Sequence, residues 1–180
     1  MTLVGVHLAG CAVLVVAGLA KLRRPDELAV ALARWLRAPR SVATSAVRVL
    51  AAVEVAVGSA GMARPGGLAA VLVAMSYAAF TIYVSLLRRA GVALSSCGCF
   101  GEPDTPAPRA HVVVTASFAL ASAVVASSGS AGLSSVLDAQ PAGGVPLLLA
   151  SVVVAALAIL VLTRHAEVQA VRASYAEPAT

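Results

Sequence analysis

Charge is what this chain has least of. Only 12 % of its 180 residues are Asp, Glu, Lys or Arg, while 60 % are apolar, and the mean hydropathy is +0.94. A soluble domain of this length carries roughly twice that share of charge, so a soluble globular fold is excluded. Aromatic residues are scarce as well, at 4 %, and no aromatic-lined site for a quinone ring is evident. Methionine is no richer: only Met62 and Met75 are internal, whereas a copper-handling protein gathers soft sulfur ligands around its metal. A positively charged stretch ahead of the first apolar run is also missing, because Lys21, Arg23 and Arg24 all follow it. That run therefore reads as a retained anchor and not as a cleaved signal peptide. The net charge of +5 calls for no nucleic acid, since basic residues in membrane proteins chiefly set orientation.

What is present is a series of long apolar runs. A helical span needs about 20 such residues, and five runs qualify: Leu3 to Ala20, Val42 to Ala63, Leu68 to Leu87, Ala110 to Ala126, and Val145 to Leu162. Without a closed barrel, only helices satisfy their backbone inside lipid. The expected fold is all-α, a polytopic membrane bundle of five transmembrane helices occupying residues 1–164, with 165–180 as a cytoplasmic tail that extends the last helix briefly and frays at Pro178. Between the first two spans, Leu28, Ala31, Leu32, Trp35 and Leu36 recur at helical spacing with arginines among them, which predicts a short amphipathic helix at the membrane surface. Pro25, followed by Asp26 and Glu27, is a fitting start for it. The Gly/Ser-rich stretch from Ser127 to Gly144 reads as a flexible loop without chemistry. Basic residues are lopsided: eleven flank one side of the five spans and Arg64 alone the other, with Arg48 inside a span. Positive-inside counting then puts the N-terminus outside and the C-terminus in the cytoplasm of a bacterial inner membrane.

Ionisable groups inside spans are functional candidates by default. His7, Cys11, Gly18 and Lys21 fall within roughly an 80° arc of the first helix. Val47, Ala51, Glu54, Gly58 and Gly61 form a stripe on the second, whose small residues admit a close neighbour. Counting 1.5 Å per residue from the inner edge puts Cys11 at about 14 Å, Glu54 at about 18 Å and His7 at about 20 Å. A Glu54–His7 hydrogen bond or ion pair beside Cys11 is one expectation; the plainer one is that Glu54 pairs with any nearby polar group and holds the bundle together. On local grounds Gly18 is packing, Lys21 an interfacial anchor, and Arg48 snorkels to the surface.

Two of the three cysteines sit in Cys97-Gly98-Cys99-Phe100-Gly101, within the long polar connection between the third and fourth runs. Gly98 lets the backbone bend enough to bring both sulfurs together. An i,i+2 pair meets disulfide geometry only with strain, and strained disulfides are the easily reduced ones. A redox-active dithiol is therefore one reading; a soft-metal site completed by His111 is a second; a turn filled by two small apolar residues is a third. Cys11 is the odd thiol left over. The apolar Gly91-Val92-Ala93-Leu94 run would let residues 91–101 dip back into the bundle near the inner face, toward Cys11 and Glu54.

Taken together, Gly18-Leu19-Ala20-Lys21 with Pro25, Glu54 with Gly58, Phe80-Thr81, Leu86-Leu87-Arg88-Arg89 and Cys97-Gly98-Cys99-Phe100-Gly101 resemble the MauE family, related to the DoxX-like membrane proteins. The resemblance runs to about residue 164 and departs at Val112-Val113-Val114-Thr115, where such proteins often carry an Arg-Asn pair. It implies thiol–disulfide redox work on exported proteins with a thioredoxin-like partner, as associated with methylamine utilisation. It also implies Cys97 and Cys99 as the reacting residues, with Gly98, Phe100 and Gly101 of the same element and the matched Lys21 and Glu54 in support; the depth match within the spans adds Cys11 and His7 to the supporting set. No resident cofactor is expected beyond the disulfide, although a quinone as second electron carrier stays open. A metal-handling protein, a non-catalytic assembly factor and a small-solute transporter built on Glu54 and Lys21 are the readings from other classes.

Overall fold

Backbone amides find no water in a hydrocarbon layer, and this chain answers with helices. The computed structural model describes residues 2–89, 109–129 and 132–176. Its elements are α1 (Thr2–Arg23), α2 (Pro25–Leu36), α3 (Arg40–Ala63), α4 (Gly67–Arg89), α5 (Arg109–Ser127), α6 (Leu133–Asp138), a 3-10 turn (Pro141–Gly144) and α7 (Val145–Ala176). No strand occurs among the described residues. Five helical segments are long and apolar enough to cross a bilayer: Leu3–Arg23, Arg40–Ala63, Gly67–Leu86, Arg109–Ser127 and Pro141–Leu162. These are the five expected runs, and the protein is a multi-pass membrane protein with an all-α bundle. Val49, Leu68, Leu120 and Val152 are among the large apolar side chains left exposed on its outer faces, where acyl chains take the place of a protein core.

The enclosed helix is α1. Over its most apolar stretch 56 % of residues are buried, against 22 % for α3 and α4 and 17 % for the last span. It packs mainly against α3, then against α7 and α5, while α4 and α5 form the other close pair. Ala9, Cys11, Val13 and Leu14 of α1 meet Val73 and Tyr77 of α4, Phe118 of α5, and Ala155 and Ala158 of α7 in one core. The turn from α3 to α4 is short enough to force the two antiparallel, and Gly67 supplies the left-handed backbone it needs (φ 53°).

The amphipathic helix between the first two spans is present as α2. Pro25 occupies its first turn, and Arg37 closes it in the left-handed conformation, its N–H donating to the Ala33 carbonyl. Among the described side chains of its apolar face, Leu28, Ala29, Leu32 and Ala33 pack against Ala43 and Val47 in the first turns of α3. The stretch read as a loop from Ser127 to Gly144 contains α6 and the 3-10 turn instead. Leu133, Val136 and Leu137 give one and a half turns of helix. Three successive left-handed residues, Ala142, Gly143 and Gly144, then redirect the chain into α7. The tail continues α7 in helical form to Ala176.

Candidate functional site

The close pairing of α1 with α3 rests on glycines at the contact. A Cβ on Gly18 would stand 2.8 Å from the Ala51 carbonyl and 3.2 Å from Glu54 Cβ. One on Gly58 would stand 2.8 Å from the Cys11 carbonyl, and one on Gly61 2.7 Å from Cys11 Sγ. These contacts fix an antiparallel register in which Gly18 lies opposite Ala51 and Glu54, and Cys11 opposite Gly58 and Gly61. By the same register Leu22 stands level with Arg48. The residues of α3 before Val47 therefore overhang the end of α1, and α2 lies across them.

That overhang corrects the expected meeting of Glu54 with His7. Counting depth from the first apolar residue of α3 put Glu54 too deep by about two turns. Glu54 instead receives two hydrogen bonds from the Lys21 ammonium, Nζ to Oε1 at 2.9 Å and to Oε2 at 2.7 Å. Lys21 is 4 % exposed and Glu54 15 %. Lys21 is thus half of an enclosed ion pair and no interfacial anchor. Each charge is costly to bury alone, and each is balanced by the other. The pairing matches the plainer expectation for Glu54, a polar partner that holds two helices together.

His7 finds other partners. Its Nδ1 lies 2.9 Å from Ser122 Oγ on α5 and its Nε2 3.3 Å from the Gly61 carbonyl on α3. A carbonyl only accepts, so the ring proton belongs on Nε2, and Nδ1 accepts from the Ser122 hydroxyl. Cys11 Sγ lies 3.5 Å from the same Nε2, and both side chains are fully buried. His7 and Cys11 are therefore brought together as expected, with α1, α3 and α5 joined at the imidazole. Nearer the α4 end of the core, Tyr77 donates to the Gly10 carbonyl (2.6 Å) and Thr81 to Thr115 Oγ1 (2.8 Å). The Tyr77 and Phe118 rings lie 5.1 Å apart against Gly10.

Ser122, Thr115 and Tyr77 are not among the site residues expected from the sequence, and Thr81 enters there only through the Phe80-Thr81 resemblance. For α5 a signal exists: His111, Thr115, Phe118 and Ser122 recur at helical spacing, and all four are buried. Alanine and serine all round that helix hide the stripe in the sequence.

Cys97, Gly98, Cys99, Phe100 and Gly101 lie outside the described residues, as does the dip expected of residues 91–101. The chain that carries them leaves α4 at Arg89 and enters α5 at Arg109. With Tyr77 on Gly10, an equal number of residues along the parallel helices α1 and α4 brings Lys21 level with Arg88. The Lys21–Glu54 pair thus lies within about a turn of the depth of that tether. Cys11 is a free, buried thiol, and Arg48 is exposed. Among the described residues no three His, Cys, Asp or Glu side chains converge as metal ligands do. A cleft of about 130 Å³ opens between α1, α3, α6 and α7, with Leu8, Ala12, Met62 and Leu148 in its wall. The Ser151 hydroxyl, also in that wall, donates to the Leu147 carbonyl. Such a lining suits an alkyl chain.

The family model described as methylamine utilisation protein MauE matches residues 1–129. The match ends just past α5 and short of the residue 164 anticipated from the sequence. No curated protein and no solved structure matches the chain.

Proposed function

The chain belongs to the MauE family, and from that premise we propose that it is a membrane thiol–disulfide redox protein whose reacting pair is Cys97 and Cys99. The observation that carries the proposal is the Cys97-Gly98-Cys99-Phe100-Gly101 element, set in the connection between α4 and α5. Two sulfurs so close can close one small ring and open it again. In the oxidising direction, one thiolate of the pair attacks a disulfide of a thioredoxin-like partner. A mixed disulfide forms and one partner thiolate leaves. The second cysteine, as thiolate, displaces the remaining partner sulfur; the Cys97–Cys99 bond closes and the partner departs with both electrons as a dithiol. The reverse sequence passes the disulfide onward to an exported protein. Arg88, Arg89 and Arg109 flank the element in sequence and favour the thiolate electrostatically. Lys21, Glu54, His7 and Cys11 support the site by holding the bundle: the ion pair and the imidazole fix three helices in register.

The arginine asymmetry supports a bacterial inner membrane with the N-terminus outside and the C-terminus in the cytoplasm. The test of function is direct. Purified protein is oxidised, alkylated, digested and mapped by mass spectrometry, and then reduced by a thioredoxin-fold protein. A Cys97–Cys99 linkage that the partner opens, with Cys11 recovered as a free thiol, is the expected result. A dominant bridge to Cys11, or two thiols at 97 and 99 that never oxidise, would sink the proposal. Retention of one soft metal ion by the reduced pair together with His111 would replace it with the metal-handling reading.

A further inference from the structure

We infer that the α2–α3 hairpin and the end of α1 form a docking surface for the headgroups of anionic phospholipids, on the face of the bundle where α3 overhangs α1. The geometry sets the depth. Arg48 stands level with Leu22, so Arg23, Arg24 and Arg48 share the level at which α1 ends. Helix α2 lies across Ala43 and Val47, within about one and a half turns of Arg48 toward the start of α3. The side bearing Leu28, Ala29, Leu32 and Ala33 is turned onto α3, and exposed arginines stand at both ends of the helix.

Arg23, Arg24, Arg37, Arg40 and Arg48 are all exposed there. Two acids, Asp26 and Glu27, share the segment. Arg40 lies 3.6 Å from Asp26 with both side chains well exposed, at 65 % and 71 %, a pairing too hydrated to hold much. Lys21 and Glu54 neutralise each other inside the bundle. The surface is therefore left with an excess of cationic forks at the depth of lipid phosphates. A guanidinium bonds two phosphate oxygens at once. Arginine at both ends of α2, as Arg24 and Arg37, fits the same occupant: Arg24 replaces the Ser, Thr, Asp or Asn that would cap the helix start. A zwitterionic headgroup offers the same phosphate but carries its own cation, so the surface selects headgroups of net negative charge.

The full chain is reconstituted in nanodiscs of phosphatidylcholine containing a minor share of phosphatidylglycerol. The lipids it retains on release into mild detergent are counted by native mass spectrometry. Phosphatidylglycerol is expected to be enriched over phosphatidylcholine, and the enrichment to fall as salt rises. Each of Arg23→Gln, Arg24→Gln and Arg48→Gln lowers it by about fivefold, the three lysine exchanges retain most of it, and Arg64→Gln at the opposite end leaves it unchanged. Should one of these variants fail to fold, the other two and the salt series carry the test. Equal retention of the two lipids, enrichment that survives the glutamine exchanges, an equal loss in Arg64→Gln, or displacement by soluble glycerol phosphate overturns the inference.

Discussion

Lys21 and Glu54 stand where a pair of leucines would also fill space, so their worth is best measured by breaking them one at a time. Lys21→Met leaves a carboxylate enclosed without its cation and is expected to lower stability by about 3 kcal/mol. Glu54→Leu is expected to do the same for the ammonium. The double exchange removes both burial penalties and should restore most of the loss. Thermal unfolding in one detergent, read by circular dichroism on all four proteins, checks this; additive losses would show that the two groups do not act as a pair. His7 gives a second residue-level expectation. Ser122→Ala removes the donor that Nδ1 has among the described residues, at an expected cost of about 1–2 kcal/mol read by the same thermal unfolding. How far these groups were legible follows from their positions. The faces of α1 and α3 could be read from spacing alone, because helical periodicity fixes which residues share a side. Their depth could not, because it depends on how far α3 runs beyond α1, and that is set by α2 packing on Ala43 and Val47. Spacing thus places Glu54 on the right stripe, and of its two expected partnerships the structure replaces His7 with the plainer one, a nearby polar group, Lys21.

At the scale of elements, α1 and α3 approach so closely because glycines fall where one backbone meets the other. Gly58→Ala drives a methyl toward the Cys11 carbonyl at 2.8 Å, and backbone of a packed helix does not yield as a side-chain tip does. A loss of about 1–3 kcal/mol is expected. Gly5 faces α7, where a Cβ would stand 3.2 Å from the terminal methyl of Leu147; that side-chain tip can shift and alanine favours the helix, so Gly5→Ala should cost clearly less than Gly58→Ala. Comparing the two variants by urea or heat separates close approach from a general dislike of alanine. The five spans were readable because twenty apolar residues between charges leave little choice. Helix α6 was not, since its Leu133, Val136 and Leu137 are embedded in serine and glycine that carry turn chemistry, and the left-handed run at Ala142 to Gly144 has only two glycines to announce it.

For the whole molecule, sidedness is the property most exposed to test. With eleven basic residues flanking one side of the spans, the proposed orientation puts the connection bearing Cys97 and Cys99 at the cytoplasmic face. A membrane-impermeant maleimide applied to reduced, intact spheroplasts should leave both unlabelled and reach them only once the membranes are opened. Strong labelling of intact cells would reverse the orientation and place a periplasmic partner within direct reach. The enclosure of α1 has a consequence of a different kind, in the order of manufacture. Translation delivers α1 before any helix that will surround it. Lys21 waits 33 residues for Glu54, and His7 waits 115 for Ser122. Until then the first helix lies in lipid as a solitary span, its ammonium drawn out toward water at the interface. Sealing that cation inward waits only for α3, whereas the cover over His7 waits for α5, and a chain stalled between the two presents the cell's membrane proteases with a helix built to be covered and only half covered.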